Sequence, residues 1–220
     1  LARCQFALQS FDDCANSCEM GLAIDPKNPI FNFALGYIRY TEGNYQESVE
    51  HLEVARQFAE GKIEHEDIHL ERFEIEQQMI VTYDLLGASY IALEKNDEAF
   101  DCYKILVNRL PSCHEGYFHL ATLTMERGDI RGALEYIDQA IEIEPANTAY
   151  LSLRVTILTD LRRFEEALSG LDDLVKIDPK SKSFLLAQSE MALNLNHYEK
   201  ADKAYRKLLS SSQATIPARS

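Results

Sequence analysis

HEGYFHLATLTMERGDIRGALEYIDQAIEIEPAN, residues 114–147, holds two amphipathic helical patterns joined by a turn and closed by a proline. In the first half Tyr117, Leu120, Ala121 and Thr124 recur at three- and four-residue spacing, which places them on one helical face. Gly128-Asp129 breaks the pattern, because glycine is permissive at a helix end and aspartate caps the start of the next helix. The second half resumes the spacing with Ile130, Ala133, Leu134, Ile137, Ala140 and Ile141, and Pro145 cannot continue it. Ala121 and Ala133 are small where two helices must approach closely. One such hairpin leaves an apolar face uncovered, so it needs neighbours to stack on.

The neighbours are copies. Steps of 34 residues connect Ala99, Ala133, Ala167 and Ala201, and likewise Pro111, Pro145 and Pro179. The same step connects Ile130, Phe164 and Tyr198, and Ile137, Leu171 and Tyr205. Small, aromatic and proline positions agree at once over nearly the whole chain. In this it resembles the tetratricopeptide repeat family, whose pattern runs through a large residue, Leu-Gly/Ala, an aromatic, Gly-Asp/Asn, Ala, an aromatic, Ala and Pro. The resemblance implies an all-α fold, a right-handed α-solenoid of about six helix-turn-helix repeats.

In that register residues 1–209 form one solenoid, with repeats at 1–28 (partial), 29–62, 80–113, 114–147, 148–181 and 182–209, followed by a polar, frayed tail at 210–220. In the second repeat Leu35-Gly36 is the close-packing pair, Gly43-Asn44 the turn, Asn44 with Glu47 resembles a capping box, and Gly61 ends the second helix. The third carries Leu86-Gly87, Asn96-Asp97 and Ala99. From Ser48 to Ala99 the step is 51, so a 17-residue insertion, 63–79, precedes the third repeat. No strong breaker interrupts 65–95, which reads as one helix of about 30 residues, about 45 Å at 1.5 Å per residue; a separate short helix is the alternative. Two pairs depart from the family: Arg154-Val155, where Val155 is expected to push its helices apart, and Gln188-Ser189, a polar pair suited to a partly exposed end.

With 46% hydrophobic residues in 220, the chain can bury a sizeable core, drawn out along a stack rather than gathered in one ball. The net charge of −14 argues against nucleic acid and anionic membrane surfaces as partners; it reads first as a solvated surface and second as a preference for basic partners. Five cysteines, Cys4, Cys14, Cys18, Cys102 and Cys113, show no disulfide framework. Cys14 and Cys18, one helical turn apart, read as packed thiols, and free thiols suit a reducing, cytoplasmic setting. No stretch approaches the length of a membrane span. Leu1-Ala2 falls where the close-packing pair of a first helix belongs, so the N-terminus is expected to be a cut inside a repeat.

His65-Glu66-Asp67-Ile68-His69 is literally H-E-x-x-H on a predicted helix, a spacing that can put two zinc ligands on one face with a glutamate base. Asp67 and Glu64 are charged where such sites carry apolar or neutral residues, and Arg72 and Ile75 replace the glycine and third histidine of a longer zinc signature. The insertion holds six carboxylates, so a solvated acidic face explains it. No phosphate-binding glycine loop or nucleophile elbow occurs, and no cofactor is implied.

The family resemblance instead points to the face made by the first helices, where repeat positions 2, 5, 9 and 12 line a concave groove. These are Ile30, Phe33, Tyr37 and Tyr40 in the second repeat. In the third they are Val81, Asp84, Ala88 and Ile91, and in the fourth Glu115, Phe118, Thr122 and Met125. The last two repeats supply Ala149, Ser152, Thr156 and Thr159, then Ser183, Leu186, Glu190 and Leu193. None is Lys or Arg, so the carboxylate clamp of chaperone-binding relatives is missing. Aromatic and apolar side chains beside carboxylates suit an apolar partner segment with basic residues. The alternative is that Phe33, Tyr37 and Tyr40 are covered by the 63–79 extension or by packing within the groove.

The expectation is a non-catalytic protein-interaction scaffold binding a peptide or helix in its groove, with self-association through open repeat ends as a further possibility. One alternative is the interaction region of a larger protein whose enzymatic domain lies elsewhere. Another is a zinc hydrolase through His65, Glu66 and His69.

Overall fold

A computed structural model describes residues 11–61 and 72–213. These form eleven α-helices and no strand among the described residues. They are α1 (Phe11–Ile24), α2 (Pro29–Thr41), α3 (Tyr45–Ala59), α4 (Arg72–Ala92), α5 (Asn96–Arg109) and α6 (His114–Glu126). The rest are α7 (Ile130–Ile143), α8 (Thr148–Asp160), α9 (Phe164–Ile177), α10 (Lys182–Asn194) and α11 (Tyr198–Gln213). The chain divides into two compact units, Leu1–Gly116 and Tyr117–Ser220. None of the described helices is long and apolar enough to cross a membrane.

In the first unit α1 packs on α2, α2 on α3, α3 on α4 and α4 on α5, and α2 also touches α4. This is antiparallel hairpin stacking, in which each helix covers the apolar stripe of the next. Small residues let the helices close. The Ser48 hydroxyl of α3 donates to the Gly36 carbonyl of α2 at 2.8 Å and lies 3.3 Å from the Ser89 hydroxyl of α4. A Cβ on Gly87 would stand 2.4 Å from the ring of Tyr103, which is itself fully buried. The second unit stacks α7 on α8, α8 on α9, α9 on α10 and α10 on α11. The alanines at the 34-residue step sit at the tightest points, with Ala99, Ala133 and Ala167 at 0% exposure and Ala201 at 1%.

Helix starts follow local chemistry. The Asn28 side chain accepts from the backbone N–H of Ile30 and Phe31, at 3.1 and 3.3 Å. Asp129 accepts from Gly132 at 2.9 Å, Asn147 from Ala149 at 3.0 Å and Ser181 from Phe184 at 3.4 Å. Asn44 is a correction to the sequence reading. It stands at the N-cap of α3 but makes no side-chain capping bond, so the capping box with Glu47 does not form. Glu47 instead pairs with Arg39 of α2 at 2.9 Å.

The turns share a backbone device. Gly43, Glu94, Gly128, Arg162 and Asn196 all adopt positive φ, between 58° and 82°, at one register position of successive hairpins. Glu94 makes the turn after α4, which therefore stops at Ala92, short of the expected Lys95; Asn96 and Asp97 open α5. The 21 residues of α4 span about 31 Å. Its expected upstream part, with His65, Glu66 and His69, lies outside the described residues, as do Leu1, Ala2 and Cys4. Gly61, at φ +71°, follows the end of α3 as expected. At the other end α11 continues to Gln213, into the stretch assigned to a polar tail.

The two departures from the repeat are resolved by packing. Gln188 and Ser189 are buried, at 9% and 0% exposure, rather than partly exposed. Gln188 donates to Asp172 at 2.6 Å, Lys200 binds the same carboxylate at 2.7 Å, and the Ser189 hydroxyl donates to the Leu185 carbonyl at 2.8 Å. Burial is tolerated because each polar group is matched. Val155 lies against Gly170, where an added Cβ would be 2.8 Å from a Val155 methyl. The bulk moved onto α8 is thus met by a missing side chain on α9.

Candidate binding faces

In the first unit Ile30, Phe33, Tyr37 and Tyr40 run along α2 at three- and four-residue spacing and are all half-buried. Leu35 and Ile38, on the opposite side of the same helix, are 1% exposed. On α4, Val81 and Ile91 are exposed at 41% and 38%, and Asp84 is half-buried. The Tyr40 ring meets Tyr45 edge-on, with centroids 5.7 Å apart. Its hydroxyl is held above the usual tyrosine range by burial first and by the negative charge of Asp84 next. Glu115 is exposed and accepts from the Cys113 thiol at 3.8 Å, with His114 3.2 Å from the same carboxylate.

Behind this face lies a polar cluster that joins α3 to α4. Arg56 binds Glu53 at 2.9 Å and Glu60 at 3.3 Å, Tyr90 donates to Glu53 at 3.2 Å and Tyr83 donates to Glu60. Burial, then these carboxylates, push both tyrosines well above their ordinary range. Burial likewise pushes the Cys102 thiol up to about 12, so it stays an un-ionised packing group. Cys18 is buried with Ala15, Leu35 and Ile38, as the reading of packed thiols expects. Perturbed acidity often marks a functional site, but here internal partners occupy the groups, and the cluster acts as a clamp between helices. Among the described residues no group of three potential metal ligands occurs.

In the second unit Phe118 and Met125 are half-buried and pack on the cluster of Ala121, Ile137 and Ile157. Phe118 also stacks on Tyr150, with centroids 5.1 Å apart. Both therefore contribute to the core as well as to the face. Glu190 is exposed and lines a depression of about 300 Å³ between α8 and α10. Its floor is Val155, Leu171, Ala187 and Met191, and its rim is Thr156, Thr159, Asp160, Glu190 and Asn194. Thr156, Thr159 and Glu190 are at positions the family register assigns to the binding face. Asp160 and Asn194 are not, since each stands one residue beyond the last such position of its helix. The shared offset was the signal by which they could have been found.

Two tetratricopeptide repeat family models match the chain, over residues 124–191 and 183–215. No curated protein matches its sequence. Several solved structures share its fold. A crystal structure of MamA superposes with a TM-score of 0.69 at 13% identity, covering 87% of this chain and 97% of that one. MamA from Desulfovibrio magneticus RS-1 gives 0.61 at 11% identity, covering 94% and 99%. YrrB, described as a tetratricopeptide repeat protein with an unusual peptide-binding site, gives 0.65 at 15% identity, covering 91% and 95%.

Proposed function

The chain belongs to the tetratricopeptide repeat family, a fold of protein-interaction scaffolds, and from that premise we propose that it binds a peptide or helix of a partner on the faces made by the first helix of each hairpin. The observation that carries this reading is the row Phe33, Tyr37 and Tyr40 on α2 beside Val81, Asp84 and Ile91 on α4. Aromatic and aliphatic side chains lie partly open to solvent there, with a carboxylate among them and no Lys or Arg at these positions. Such a surface suits an apolar segment carrying basic residues. Glu115, Phe118, Met125 and Glu190 extend the same assignment to their own repeats. The fold shared with YrrB, whose description names a peptide-binding site, is consistent with it.

The test is recovery of partners with the intact protein, followed by peptide mapping and calorimetry on a Tyr37→Ala, Val81→Ala variant. Both side chains are partly exposed, so the variant is expected to keep its helical content and lose about tenfold or more in affinity. This pair avoids Phe118, whose removal would also disturb Tyr150. Unchanged affinity would move binding to another surface.

A further inference from the structure

Resting on that reading, we infer that the depression between α8 and α10 is a receptor for one lysine or arginine side chain of an extended partner peptide. Four apolar side chains, Val155, Leu171, Ala187 and Met191, make its floor. Two carboxylates, Asp160 and Glu190, stand on opposite helices at its rim, with Asn194 beside them and no Lys or Arg anywhere in the lining. Among the described residues neither carboxylate forms an ion pair; the nearby Asp172, by contrast, is neutralised by Lys200 at 2.7 Å.

An apolar floor under an anionic rim matches one class of side chain closely. Lysine and arginine lay an aliphatic stem on apolar surface while keeping the charged head in water. An acidic side chain would meet two like charges, and an aliphatic one would leave the rim without a partner. Flanking specificity follows from α10, where Leu186 and Leu193 are 42% and 41% exposed on either side of Glu190. The preferred peptide therefore has a basic residue with apolar neighbours. The site lies where the repeat pattern is broken, because Val155 stands at the small-residue position and forms part of the floor.

The experiment is selection of a phage-displayed random decapeptide library on the intact protein, with the selected peptides then synthesised. Affinities are measured on the wild type, on Asp160→Asn with Glu190→Gln, and on Thr156→Lys, which supplies a cation of its own at the rim. All three positions are at least partly exposed and should tolerate the changes. Selected peptides are expected to carry Lys or Arg between apolar residues. Their affinity should fall about tenfold in either variant and when the basic residue is replaced by norleucine. Peptides lacking a basic residue, or affinities unchanged in both variants, would overturn the inference. If such peptides still lose affinity in the Tyr37→Ala, Val81→Ala variant, the broader proposal stands while this one falls. Selection of no peptide at all would remove both.

Discussion

Gly87 shows how one residue sets the spacing of two helices. A methyl group there would approach the Tyr103 ring to 2.4 Å, and that ring is fully buried with its hydroxyl donating to the Asp84 carbonyl at 3.4 Å. The ring cannot swing away without leaving its pocket, so α4 and α5 must separate instead. Gly87→Ala is expected to cost about 1–3 kcal/mol by overpacking, read as a shifted denaturation midpoint with an unchanged slope. A midpoint within error of wild type would show that the helices have slack at this contact. Tyr103→Leu in the Gly87→Ala background should recover part of the loss, which separates the steric effect from any change in helix propensity. The glycine was legible in the sequence as half of a Leu-Gly pair, and its partner was not: 16 residues separate Gly87 from Tyr103, on another helix.

At the scale of the element, helix starts and turns were written locally, with exceptions that are instructive. Asn28, Asp129, Asn147 and Ser181 cap as their residue types suggest. Asn44 does not, and nearby Glu47 is paired with Arg39 of a neighbouring helix. Three turns place a side-chain-bearing residue in the left-handed region, Glu94 at φ 58°, Arg162 at 59° and Asn196 at 62°. The two other turns at this register position use glycine there, Gly43 and Gly128. The register of the hairpin, not the residue, dictates the conformation. Glu94→Gly and Arg162→Gly should each stabilise the protein by about 0.5–1 kcal/mol by removing that strain, measurable as a rise in melting temperature. Asn196→Gly should gain less, because asparagine tolerates this conformation. A drop in stability for the first two would mean that these exposed side chains make contacts in their favour.

At the scale of the whole molecule, charge is the collective property. A net charge of −14 repels itself, and the repulsion between exposed carboxylates is screened over a Debye length of about 10 Å at 0.1 M salt. Raising sodium chloride from 20 mM to 500 mM is therefore expected to raise the melting temperature by a few degrees. A fall would show that ion pairs such as Arg39–Glu19 and Arg154–Asp138 outweigh the repulsion. The repeat period, the helical class and the buried alanine positions were readable from the chain alone, since each is a local periodicity printed several times over. The tertiary structure decided what the departures mean. Gln188 and Ser189 are buried because Asp172, Lys200 and the Leu185 carbonyl reach them. Val155 fits because Gly170 makes room. Asp160 and Glu190 share one rim because α8 and α10 stand side by side. Matched volume and matched polarity between helices are relations among residues distant in sequence, and they exist only once the helices are packed.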